Sequence, residues 1–205
     1  MARPAEVRQP AAPMSSSQAA RQIRILRAAS ELGAREGLAR VQMHDVAREA
    51  DVAIATLYRY FPSKPCLFLS VLEWHIEEFL GGRDVTPPAA DGNDPAAEVA
   101  RTLVALSGKL LASPLLASAV ALSSFTEYAS VVPTRFDIVE RALGQRLLHL
   151  LGCHGGYADA ETARSRVRLL VYSWWGLFVA MLTEEITTEQ AEADLHLAAR
   201  LIATP

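Results

Sequence analysis

Residues Val46–Lys64 read VAREADVAIATLYRYFPSK. Two short segments of helical pattern are separated by Asp51-Val52-Ala53, and Pro62 stops the second. Small Ala47 lets two helix axes approach closely, while Val46, Ala50, Val52 and Leu57 supply the inner faces. Asp51 falls where the chain must turn sharply, and Asp tolerates a left-handed backbone better than most non-glycine residues. A helix, a three-residue turn and a second helix form a helix-turn-helix, whose second helix fits a DNA major groove.

The aromatic residues divide along that second helix. Three rings, Tyr58, Tyr60 and Phe61, lie within four residues of a chain that is only 7% aromatic. At about 100° per residue, Leu57 and Phe61 share the inner face with Ile54 nearby, Thr56, Tyr58 and Arg59 point outward or sideways, and Tyr60 is on the border. A tyrosine offers a hydroxyl to phosphate and a ring to sugar or a thymine methyl. Lys64 is expected to meet phosphate beside the N-terminus of the next helix. The competing reading makes all three rings core. It suits Phe61, but a small three-helix unit has little room for buried Tyr58 and Tyr60 with their hydroxyls.

Outward from this motif the chain reads as all-α. Residues 1–19, rich in Ala, Pro, Ser and Gln, read as a disordered arm, with Met1 or Met14 as the start. Residues 20–64 form the helix-turn-helix domain: Ile25, Ala28, Ala29 and Leu32 mark a first helix with Gly37 as its C-cap, followed by helices at about 44–50 and 54–60. Ser63 caps a connecting helix over 65–82, with Pro65 in its first turn, and Gly81-Gly82 ends it. Residues 83–94 (RDVTPPAADGND) read as a linker or long loop. Residues 95–205 form a helical ligand-binding and dimerisation domain, with helices near 95–112, 114–129, 133–152, 160–184 and 187–203. Pro95, Pro114 and Pro133 each stand where a helix begins.

Charge supports a polyanion at one end only. Residues 1–64 carry ten Arg/Lys against six Asp/Glu, and residues 65–205 carry ten against seventeen, within a net charge of −3. A solvated basic face would give the same balance. Cys66 and Cys153 do not suggest a disulfide framework. The N-terminus has no apolar leader, and the uncharged run Leu169–Thr183 spans 15 residues, against about 20 needed to cross a bilayer. A soluble, cytoplasmic protein without membrane attachment is expected.

With these residues in view, ILRAASELGAREG followed by DVAREADVAIATLYRYFPSK resembles the DNA-binding domain of the TetR family of transcriptional repressors, over about Arg21–Leu72. The resemblance implies phosphate and base contacts from Thr56, Tyr58, Tyr60 and Lys64, with Ala53, Ile54 and Ala55 at the groove floor and Arg59 beside them. It also implies contacts from Gln42, Met43 and His44 at the start of the preceding helix. The chain departs from the family pattern at Gly33 (usually aromatic), Gln42-Met43 (usually threonines), Asp51 (usually Gly) and Pro65 (usually acidic). Without a threonine at Met43, Gln42 or backbone N–H groups must serve as the helix-start donor. The segments VQMHDVAREADVA, SPLLASAV and WWGLFVAMLTEEITTEQAEADLHLAARLI are further similar to mycobacterial repressors of cholesterol catabolism within that family. This implies a bulky, lipid-like effector such as an acyl or steroid CoA ester.

The last two helices are apolar on more than one side. Leu170, Trp174, Leu177, Phe178 and Met181 follow one stripe, and Val171, Trp175, Val179 and Leu182 another. One stripe can face the domain core and the other a second subunit; a monomer's central helix would show the same pattern. The family resemblance implies a homodimer through these helices, presenting two recognition helices to a near-palindromic operator of double-stranded DNA. Leu103–Tyr128, rich in small and apolar residues, implies either close packing or a cavity. Phe125, Tyr128, Trp174 and Phe178 are the candidate walls for a small hydrophobic effector.

Enzyme motifs are missing: no G-x-S-x-G, no H-E-x-x-H and no phosphate-cradling glycine loop. His154-Gly155-Gly156 lacks a nucleophile elbow. His149, Cys153 and His154 have metal-compatible spacing, but a helix end before Gly155 explains them equally well. Neither a catalytic residue nor a metal or other cofactor is expected. The reading is a ligand-responsive repressor; its rival is a helical lipid carrier or interaction protein without sequence-specific DNA binding.

Overall fold

The structure, a computed structural model, describes residues 16–81, 94–126, 143–152 and 160–203. Nine helices occupy them: α1 (Ser16–Arg40), α2 (Met43–Glu49), α3 (Ile54–Tyr60), α4 (Lys64–Gly81), α5 (Pro95–Leu111), α6 (Pro114–Thr126), α7 (Gln145–Gly152), α8 (Ala160–Leu182) and α9 (Thr188–Ala203). The all-α expectation holds. Residues 1–15 of the expected arm, Cys153 and His154, Tyr128 and the expected linker up to residue 93 lie outside the described residues.

The chain forms two compact units. Within the described residues, the first comprises 16–74 and 113–126, the second 75–81, 94–112, 143–152 and 160–203. The first unit therefore takes in α6, which sequence reading assigned to the helical body over 95–205. The cause is α6's composition: Leu116, Ala117, Ala119, Val120 and Ala121 are buried, and the helix packs along α1. At the crossing stands Gly33, where a Cβ would fall 2.6 Å from Phe68 Cε1 and 3.0 Å from Leu116 Cδ1. The aromatic that the family pattern puts at this position has no room here. Its space is filled by the Phe68 ring and Leu116.

α1 starts at Ser16, so residues 16–19 of the expected arm are helical; Ala19 and Ala20 are among the strongest helix formers. At Gly37 the backbone leaves the helix (φ 72°, ψ 166°), as a glycine tolerates, and a final helical turn resumes to Arg40. Downstream, Ser63 Oγ accepts from the Cys66 N–H at 3.1 Å, which is the expected cap of α4.

In the second unit α5 packs against α7, α8 and α9, and α8 and α9 pair as a hairpin closed by residues 183–187. Asp94 caps α5 through Ala96 N–H at 3.0 Å, with Pro95 in the first turn. Thr187 and Gln190 form a reciprocal capping box: the Thr187 N–H donates to Gln190 Oε1 at 2.9 Å, and the Gln190 N–H to Thr187 Oγ1 at 3.2 Å. Both apolar stripes of α8 turn inward at their centre, since Val171 and Trp175 are buried along with Leu170, Trp174 and Phe178. Beyond its exposed charged and polar residues, α8 leaves exposed a third strip of Leu169, Tyr172 and Gly176. No described helix alone is long and apolar enough to cross a membrane.

Candidate nucleic-acid interface

α2 and α3 pack together as the two arms of the motif. Val46, Ala47, Ala50 and Leu57 are buried between them, and Val52 is half-buried. Asp51 adopts φ 52°, the left-handed conformation expected of it, which lets Val52 N–H close back onto Ala47 O at 3.0 Å. A β-branched residue at this position would carry strain. The turn is thus fixed by backbone hydrogen bonds and by residue choice, independent of any ligand.

The motif is braced from α1. Arg35 donates through both terminal nitrogens to the two Glu49 oxygens at 3.1 Å, a fork-to-fork pair that raises the guanidinium pKa above its ordinary value. Arg24 Nε reaches Ala50 O at 3.4 Å, at the C-terminal end of α2. Neither contact was foreseen from sequence, because pairing of residues 14 and 26 positions apart depends on helix placement.

Around α3 the aromatic residues part company. Tyr58 is 49% exposed and Tyr60 only 3%. Phe61 and Leu57 are fully buried, as the wheel requires. The expectation that Tyr60 faces DNA is therefore corrected: its ring packs tilted against Phe61 at 6.2 Å between centroids, and the Arg59 guanidinium covers it at 5.7 Å. Arg59 itself stays exposed, with this cation–π contact as its anchor. The unit that holds the Tyr60 ring also takes in α6 and most of α4, with their own buried apolar residues.

Two further expectations change. Met43 is buried, because the first residue of α2 turns its side chain into the core while the flanking Gln42 and His44 stay exposed. Gln42 is the N-cap of α2 but makes no side-chain capping bond. Lys64 does not present its ammonium outward: Nζ donates to Leu38 O at 2.7 Å and to Val41 O at 3.0 Å. These carbonyls lie at and just beyond the end of α1, where helical partners run out, and the lysine supplies them.

The exposed face assembled from the expected residues is accordingly Gln42, His44, Ala53, Ile54, Ala55, Tyr58 and Arg59, with Thr56 half-buried. His44 Nε2 lies 3.3 Å from Asp45 Oδ1, which also takes Arg48 at 2.6 Å. The face mixes a basic group, a phenol, a hydroxyl, an amide and small apolar groups, the mixture that phosphate and base-edge contacts need.

The three described ligand-wall residues do not gather in one unit. Phe125 is exposed on α6 in the first unit, whereas Trp174 and Phe178 are fully buried in the second. The Trp174 and Phe178 rings stack at 6.0 Å, and Trp174 Nε1 donates to Ser107 Oγ at 2.8 Å.

A three-helix head with this face and a separate apolar helical unit define a DNA-binding regulator with its own ligand domain. Residues 25–71 match the family described as bacterial regulatory proteins, tetR family, and residues 92–202 match the tetracyclin repressor-like C-terminal domain. The chain belongs to the TetR family and is a ligand-responsive transcriptional repressor of that family, which is a family of regulators rather than enzymes. It is 29% identical over 191 residues to the HTH-type transcriptional repressor KstR of Rhodococcus jostii, covering 92% of this chain and 85% of that protein. Identity to KstR of Mycobacterium tuberculosis is also 29%, over 92% of this chain and 83% of that one. Among solved structures, a TetR transcriptional regulator from Rhodococcus sp. RHA1 is 37% identical with TM-score 0.77, over 91% of this chain and 97% of that one. BioQ, solved with its double-stranded DNA operator, shares the fold at 22% identity and TM-score 0.63, over 90% and 98% of the two chains.

Proposed function

We propose that this chain acts as a homodimer on a near-palindromic operator, each subunit laying α3 into a major groove. The observation that carries this reading is the exposed face of Gln42, His44, Ile54, Tyr58 and Arg59 on a head whose turn is already rigid. Tyr58 and Arg59 serve phosphate, and Ala53, Ile54 and Ala55 allow close approach to base edges. The protein acts in the cytoplasm, where the operator DNA is.

Dimerisation is assigned to α8 and α9. Every large exposed apolar residue of the second unit among the described residues, namely Leu169, Tyr172, Leu197 and Leu201, is on these two helices. At Gly176, in line with Leu169 and Tyr172, an added Cβ would meet no atom within 4 Å, so a partner helix has space to approach. Such a patch on a small unit is the mark of an interface.

The effector is proposed to be a hydrophobic, lipid-like molecule such as an acyl or steroid CoA ester, in keeping with the likeness to the KstR repressors. It releases DNA only if it binds the released arrangement more tightly than the DNA-bound one. A labelled duplex from the gene's own upstream region tests the reading. A sequence-selective shift that weakens steeply with salt is expected, and its absence would leave the lipid-carrier alternative.

A further inference from the structure

Two neighbouring tryptophans on α8 differ in one respect. Trp174 has its indole N–H satisfied by Ser107 Oγ at 2.8 Å. Trp175 is 5% exposed, and its Nε1 is a buried donor with no hydrogen-bond partner, the sole such side-chain atom among the described residues. Its ring packs against apolar surface, with Trp174 at 5.7 Å edge-on and Phe178 at 5.3 Å between centroids.

An indole N–H is a donor only, and leaving it unpaired in an apolar interior is unfavourable. Phenylalanine would fill an aromatic core without that penalty. A ligand group suited to pair with the indole N–H among these rings is an acceptor atom attached to an apolar body. A carboxylate or phosphate is a poor candidate, since one neutral donor among aromatic rings cannot offset the desolvation of a full charge.

We infer that Trp175 is the polar anchor of the effector site, and that the effector presents an uncharged carbonyl oxygen to its indole N–H within the Trp174–Trp175–Phe178 aromatic cluster. This rests on the effector-responsive reading above and specifies the ligand chemistry that such a site takes. The unpaired Nε1 also gives the response a direction. A carbonyl ligand satisfies a donor that the ligand-free arrangement leaves unpaired, so the liganded arrangement gains an interaction that the other lacks.

Benzophenone and diphenylmethane serve as the matched probes, being alike in shape and differing by the carbonyl oxygen. The intact protein should bind the ketone about fivefold to tenfold more tightly than the hydrocarbon, the range of one net hydrogen bond. Trp175→Phe should bring the ratio to near one; the comparison within each protein cancels the loss of ring volume. In a ¹⁵N-labelled sample, the Trp175 indole resonance should move with the ketone and stay in place with the hydrocarbon. A ratio near one in the unmodified protein, a ratio unchanged by Trp175→Phe, or failure of both probes to bind each overturns the assignment. Operator binding measured in parallel separates the two readings. Ketone preference without any sequence-selective DNA binding would sustain the anchor and sink the repressor, whereas DNA binding without ketone preference would do the reverse.

Discussion

The aromatic clusters of α3 and α8 are built from similar residues and meet opposite fates. On α3, Tyr58 stands in solvent while Tyr60 and Phe61 are buried. On α8, Trp174, Trp175 and Phe178 are all buried. The difference follows from what surrounds each helix. α3 has seven residues at the edge of a small head, so only one side of it has a core to face. α8 has 23 residues and helices on more than one side, so adjacent ring positions both find cover. Burial thus decides role: a ring with a wet face can touch DNA, and a ring without one can only pack or meet an internal ligand.

The largest expected effect that tests this contrast is Phe61→Ala. Removing a fully buried ring should cost about 3–5 kcal/mol of stability by chemical denaturation and abolish operator binding as a consequence. If the variant stays stable, α3 is not anchored as described. Next is Gly33→Ala, expected to destabilise by about 1–3 kcal/mol through its clash with Phe68 and to be relieved in part by Phe68→Leu. Lys64→Met should cost about 1–3 kcal/mol by leaving the Leu38 and Val41 carbonyls without their donor. The slope of log affinity against log salt should not change; a slope lower by about one would return Lys64 to the phosphate contacts. For the second unit, Leu201→Glu combined with Tyr172→Glu should turn a sedimenting dimer into a monomer with little change in melting temperature. The positions are exposed, Leu201 at 73%, so unfolding instead of dissociation would mean that they belong to the subunit core.

Much of this was legible in residues 46–64. The helix-turn-helix follows from two short apolar patterns, a tolerant Asp51 and a stop at Pro62, all of which are local properties. The family resemblance rested on this run together with ILRAASELGAREG before it. Tyr60 was misplaced because a helical wheel gives an angle, not the amount of core at that angle, and the first unit holds more buried apolar residues than its three-helix motif alone. Lys64 was misread for a related reason: α1 ends at carbonyls that need a donor, and only the folded arrangement brings the lysine to them. The contribution of α6 to the first unit has no local signal, since a helix apolar all round does not say which partner it takes. The exposed strip of α8 was hidden in the same way behind its more apolar neighbours.

The central claim is that one tyrosine of α3 is contact surface and the other is anchor, and it is tested by Tyr58→Ala and Tyr60→Ala measured side by side for melting temperature and operator affinity. Tyr58→Ala should leave the melting temperature within about 2 °C and weaken binding at least ~10-fold, while Tyr60→Ala should lower it by roughly 6–12 °C. Equal melting losses for the two variants, or operator affinity unchanged in Tyr58→Ala, would contradict the division.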